Sequence, residues 1–178
     1  MRWLFALIAC LASIALAVFG DEAYQIDYHL ATLGLPLPST TFFHQPFAGS
    51  KASLLYTFTE EGVLGAVNPK DGAIVWRHKL DTPGSSRRRV LRAGEGQDTV
   101  VAAYGSVVSA WSSSDGKSAW HREVSAKVAD VEVLEMPLGD SASNGKDAIL
   151  LFESKNGCAV ERLDAKTGEM RWTYTDDR

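Results

Sequence analysis

From residue 53 to the end of the chain, apolar side chains fall into short runs that alternate with polar ones or stand together, punctuated by Gly, Pro, Asn, Asp and Ser. Residues 53–59, 99–104 and 148–152 are apolar and β-branched almost throughout, the pattern of strands buried on both faces. Residues 128–136 alternate ahead of Pro137 and predict one more strand. Helical periodicity is scant after residue 20, so the body of the chain is expected to be all-β.

The strand-like runs belong to a repeat. Segments 62–76, 105–120 and 157–172 align without gaps over their second halves, and each ends in Asp/Thr-Gly-x-x-x-Trp. The glycines Gly72, Gly116 and Gly168 stand 44 and 52 residues apart, and Trp76, Trp120 and Trp172 follow them at a constant offset. Units of about 40–50 residues with several short strands are the signature of propeller blades. Glycine supplies the positive φ of a tight hairpin, and Asn68, Ser112 and Asp164, four residues earlier, can bond the turn backbone. Each indole is expected to dock on an adjacent turn or blade, its N–H finding an acceptor, so that the six Gly and Trp positions join blades. Residues 48–178 then hold about two and a half to three blades of a propeller, which generally takes four or more. The chain stops six residues past the third Trp without a capping pattern and reads as the front end of a longer protein.

The first 20 residues read differently. Arg2 precedes 18 uncharged, mostly apolar residues, and Asp21-Glu22 follows. That order describes a secretory signal peptide, with cleavage expected between Gly20 and Asp21; an uncut signal anchor is the alternative. The expected domains are therefore a signal helix over 1–20, a segment over 21–47 leading into the propeller, and the incomplete propeller over 48–178.

Composition narrows the chemistry. With 18 basic and 22 acidic residues the formal charge is −4, which disfavours a broad electrostatic grip on nucleic acid. The two cysteines, Cys10 and Cys158, exclude a disulfide-dense scaffold and a four-cysteine zinc site. If Cys10 leaves with the signal peptide, Cys158 is expected to be a small buried strand residue, the alternative being a pair with a cysteine elsewhere. No Asn-x-Ser/Thr acceptor occurs. His29, His44, His78 and His121 lack metal-ligand spacing and read as surface or internally bonded histidines. Residues 81–89, with Arg87-Arg88-Arg89, and 139–146 read as loops; the arginines are either a solvated run or a partner-binding or processing patch. The Gly-rich residues 93–97 lack the trailing helix of a phosphate cradle and read as a hairpin turn. No catalytic, cofactor-binding or metal-ligating constellation is evident.

The stretch Leu163-Asp164-Ala165-Lys166-Thr167-Gly168-Glu169-Met170-Arg171-Trp172 is similar to the tryptophan-docking repeat of pyrroloquinoline-quinone-type propellers. The Asp27-Tyr28 pair followed by Asn68, Gly72, Trp76 and Arg77 resembles the start of the subunit 1 family of the endoplasmic reticulum membrane protein complex. That resemblance implies a non-enzymatic lumenal scaffold, without cofactor, in a complex that inserts tail-anchored and multi-pass proteins into the endoplasmic reticulum membrane. Its partners would be the other subunits, and its membrane anchor would lie near a distant C-terminus. A quinone-dependent dehydrogenase and a lumenal unfolded-protein sensor share the repeat and stand as alternatives.

Overall fold

In the computed structural model the described residues are 33–46, 50, 52–80, 88–94, 97–124, 126–138, 141–154 and 157–177. They build three four-stranded sheets in which each strand pairs antiparallel with its sequence neighbour. The first sheet is β1 (Pro36–His44), β2 (Leu54–Thr59), β3 (Val63–Val67) and β4 (Ile74–Lys79). The second is β5 (Arg89–Ala93), β6 (Thr99–Tyr104), β7 (Val107–Ser112) and β8 (Ser118–Glu123). The third is β9 (Val128–Leu138), β10 (Ser141–Ser154), β11 (Gly157–Asp164) and β12 (Met170–Asp177). No helix occurs among the described residues, and the architecture is a partial β-propeller of three blades. The expected signal helix lies outside the described residues.

The period of two along a strand explains how the blades stack. In β6, Val100, Ala102 and Tyr104 enter one core with Tyr56, Phe58, Leu64 and Trp76 of the first sheet. Val101 and Ala103 point the other way, into a second core with Val131, Val133, Leu150 and Leu163 of the third. The middle sheet is thus covered on both faces, which is why its central strands are apolar without alternation. Each fully buried Val, Leu or Phe in these cores contributes roughly 1.5–3 kcal/mol of transfer free energy.

Three segments differ from the pattern-based reading. The first blade begins at Pro36, inside the segment assigned to 21–47, because β1 is its edge strand. Pro36 and Pro38 hide that strand in the sequence, yet an edge strand needs ladder donors on one side only. The register slips between Pro36 and Thr41, and within the slip the buried Thr40 hydroxyl donates to the Phe58 carbonyl at 2.6 Å. Residues 139–146, a loop by composition, are strand from Ser141 onward. Backbone pairing carries the β9–β10 ladder past its apolar stretch, and a register shift between Ser141 and Asn144 absorbs the extra residues. Arg89, read as loop, is the first residue of β5 and half-buried; Arg87 lies outside the described residues.

Candidate functional site

The three repeat turns are built alike. The first residue of each, Asn68, Ser112 or Asp164, donates its backbone N–H to the carbonyl five residues on, at 2.8 Å in every copy. Its own carbonyl accepts from the glycine four residues on, at 2.9, 2.9 and 2.8 Å for Gly72, Gly116 and Gly168. Those glycines take φ of 71°, 70° and 73°, a left-handed conformation that L side chains resist. Side chains reinforce all three turns: Asn68 Oδ1 accepts from the Lys70 N–H (3.1 Å), Asp115 Oδ1 from the Lys117 N–H (3.2 Å), and Asp164 Oδ1 from Lys166 (2.8 Å) and Thr167 (2.9 Å). Burial would raise the Asp164 pKa, but those two N–H groups and the Arg171 guanidinium, 2.5 Å from Oδ2, hold it below the ordinary carboxylate value.

The turn of one blade receives the indole of the blade before it. A Cβ on Gly116 would stand 2.6 Å from the Trp76 ring, and one on Gly168 would stand 2.7 Å from the Trp120 ring. Only glycine leaves room for this approach. Each indole also finds an acceptor three residues before its glycine. Trp76 Nε1 donates to the Ser113 carbonyl (3.0 Å) and Trp120 Nε1 to the Ala165 carbonyl (2.9 Å). Both tryptophans are buried. Burying an indole while satisfying its one donor removes the main cost of placing Trp in a core.

A second side chain grips the same turn, two residues after the indole. The His78 ring donates to the Gly116 carbonyl at 2.7 Å and stacks on Trp111 with centroids 4.5 Å apart. Arg122 reaches the Gly168 carbonyl at a longer 3.4 Å. Ser113 organises the first joint: its carbonyl accepts from Trp76 and also from the Tyr56 hydroxyl (2.8 Å), and its own hydroxyl donates to Pro46 (2.5 Å). Burial pushes the Tyr56 phenol up to about 12, against the bond to Ser113, which works the other way. His44 donates to the Gln97 carbonyl at 2.8 Å and lies edge-on to Tyr56. The spacing of Gly and Trp carries no hint of Ser113, Tyr56 or His78; a polar residue two places past each repeat Trp was the available signal only for His78 and Arg122.

The outer members of the repeat stand apart. Nothing lies within 4 Å of the place a Cβ on Gly72 would occupy. Trp172 is 41 % exposed, and Tyr174, two residues further along β12, is exposed as well. Trp172 therefore departs from the expectation that every indole docks on a neighbour. Cys158, expected to be buried, is exposed; it sits on the second rung of β11, in register with Glu153 of β10 and Asp176 of β12. Gly20, Asp21, Cys10 and His29 lie outside the described residues. Among the described residues no helix is long and apolar enough to cross a membrane, and no three His, Cys, Asp or Glu side chains group as metal ligands.

Comparison with known proteins adds the following. The family described as EMC1 N-terminal beta-propeller domain matches residues 17–178. The outer membrane protein assembly factor BamB of Yersinia pestis is 28% identical over 122 residues, which cover 64% of this chain and 29% of that protein's length. The chain thus spans less than a third of that relative. The quinohemoprotein alcohol dehydrogenase ADHIIG of Pseudomonas putida HK5 aligns with TM-score 0.49 and 17% identity, over 68% of this chain and 19% of its own. The quinohemoprotein alcohol dehydrogenase of Comamonas testosteroni aligns with TM-score 0.48 and 18% identity, over 78% and 22%.

Proposed function

Because the chain belongs to the EMC1 N-terminal β-propeller family, we propose that it forms part of the lumenal scaffold of subunit 1 of the endoplasmic reticulum membrane protein complex. In this reading it supports the insertion and folding of tail-anchored and multi-pass membrane proteins by holding partner subunits, and it performs no chemistry itself. Residues 1–20 serve as a signal peptide cut between Gly20 and Asp21, and an anchor elsewhere in the full-length protein holds it to the membrane. The family match over residues 17–178 carries the reading.

The joints supply the mechanical part. Trp76 on Gly116 and Trp120 on Gly168 act as blade-docking pairs, Gly72 and Trp172 would take the same part toward further blades of the full-length protein, and the indole-on-glycine contacts keep the sheets at a fixed angle so that their outer loops present one rigid surface. A scaffold needs that rigidity because every degree of freedom frozen on binding weakens the complex.

The test is affinity purification of the tagged full-length protein from its host's membranes, with the co-purifying proteins identified by mass spectrometry. Membrane subunits in constant ratio are expected. Recovery as a lone soluble monomer would overturn the scaffold role. Dye-linked alcohol oxidation on adding pyrroloquinoline quinone and calcium would overturn the non-enzymatic part.

A further inference from the structure

The three repeats share a position seven residues before each turn glycine, held by Gly65, Ser109 and Glu161. The residues that flank it along the strand show which way it points. Val107 and Trp111, two places either side of Ser109, pack into the core shared with the first sheet. Ala159 and Leu163, two places either side of Glu161, pack into the core shared with the second. This position therefore faces the sheet before its own. Among the described residues no sheet precedes the first, and at Gly65 the place is taken by the lead-in to β1. Leu33 is 2 % exposed yet belongs to neither inter-sheet core. A Cβ on Gly65 would stand 2.6 Å from Leu33 Cδ1, closer than two side-chain carbons can approach, so glycine is what admits the leucine. Val63 and Val67, two places either side of Gly65, are likewise buried and outside both cores.

The lead-in is fastened on the turn between β2 and β3. The Leu35 N–H donates to Glu61 Oε2 (3.2 Å), and the Glu60 N–H donates to the Leu35 carbonyl (3.4 Å). Gly34 takes a left-handed φ of 85°, and a Cβ there would overlap the same Glu61 carboxylate. From β4, Lys79 Nζ donates to the Glu61 carbonyl and holds the turn. Two glycines thus make room for one three-residue segment, Gly65 under Leu33 and Gly34 beside Glu61.

We propose that Leu33-Gly34-Leu35 is a cap, which closes the outward face of the first sheet in the place where a preceding sheet would pack, with Glu61 as its latch. An array of stacked sheets leaves an apolar face at its ends, and repeat proteins cover such ends with capping segments. Seating Leu33 on Gly65 takes the leucine and the strand beneath it out of water together. No atom lies within 4 Å of the Gly72 Cβ position, so the cap leaves that turn open. The cap is a property of this chain and is independent of membership in any complex.

Hydrogen–deuterium exchange and denaturant unfolding of the full-length protein test this. Leu33→Ala is expected to speed amide exchange in β3 about 30-fold, the lower limit for truncating a buried leucine. Gly65→Ala forces Leu33 off its seat, whereas in the Leu33→Ala chain the added methyl has room. Its effect on the unfolding equilibrium constant is therefore expected to be at least about 5-fold smaller in the Leu33→Ala background. Glu61→Ala, at an exposed position that leaves both cores intact, is expected to speed exchange of the Leu35 amide about 2- to 10-fold, the range for one hydrogen bond. Unchanged β3 exchange in Leu33→Ala would mean that another segment covers this face and would overturn the cap. So would an equal effect of Gly65→Ala in both backgrounds, and unchanged Leu35 exchange in Glu61→Ala would overturn the latch.

Discussion

The joint between the second and third blades and the outer face of the third blade are made from the same sequence motif, yet they meet opposite fates. Trp120 is buried on the Gly168 turn with its N–H bonded to Ala165, whereas Trp172, at the same place in its own repeat, is 41 % exposed. Residues two places on repeat the contrast. His78 and Arg122 each reach a turn carbonyl, while Tyr174 stands exposed. At the other flank, Gly72 holds the same left-handed φ as its counterparts with open space where Trp76 fills the Gly116 turn. The turn therefore forms without its indole. What the indole adds is the connection between sheets, and that connection exists only where a second sheet is present to receive it.

Substitutions can break that comparison, and the largest effects belong to the buried indoles. Trp76→Ala and Trp120→Ala are each expected to cost about 3–5 kcal/mol, from lost burial, a residual cavity and a lost indole hydrogen bond, read from denaturant midpoints. Next come the glycines. Gly116→Ala should cost about 1–2 kcal/mol for its left-handed backbone and a further 1–3 for pushing the Trp76 ring aside. Gly72→Ala should cost only the backbone part, about 1–2 kcal/mol, since no atom lies near its Cβ. Equal losses at Gly72 and Gly116 would mean that the close approach of the indole carries no energy.

A smaller effect separates the buried phenol from the exposed one. The Tyr56 pKa is raised to about 12 from 10.0, so below pH 10 its contribution is fully present. Between 10 and 12 the unfolded chain releases the proton while the folded chain keeps it, and stability falls across that window. Tyr56→Phe should lose about 1 kcal/mol at neutral pH and flatten the alkaline decline, whereas Tyr174→Phe, at an exposed site, should leave neutral-pH stability within about 0.5 kcal/mol. The smallest effect is at the open face: Trp172→Ala should cost about 1 kcal/mol or less in this chain. In a longer protein whose next turn covers Trp172, the same change should rise to the cost of Trp120→Ala, which a parallel denaturation series would detect.

The blade count and most strands could be read from the sequence, because period-two burial and a glycine with positive φ are local demands. β6 matches the apolar run 99–104 residue for residue. What was hidden follows from non-local compensation. β1 carries two prolines that only an edge position tolerates, and the start of β10 has turn composition that pairing with β9 overrides. Arg89 looked like part of a solvated run, but the Phe58 ring and the Glu60 carbonyl hold its guanidinium. Cys158 looked like a core residue because small apolar side chains in strands usually are, yet the stacking of the sheets leaves it exposed and outside both cores.

The sequence alone determined that this is an all-β repeat with a reversing glycine and a tryptophan at constant offset, since φ sign and strand period act within a few residues. Only the tertiary structure decided which turn each tryptophan meets, because Trp76 and Gly116 lie 40 residues apart and Trp120 and Gly168 lie 48 apart. It also decided that Trp172 meets none of the described turns. Contacts between sheets depend on the stacking of whole surfaces, and no local preference of the backbone encodes their partners.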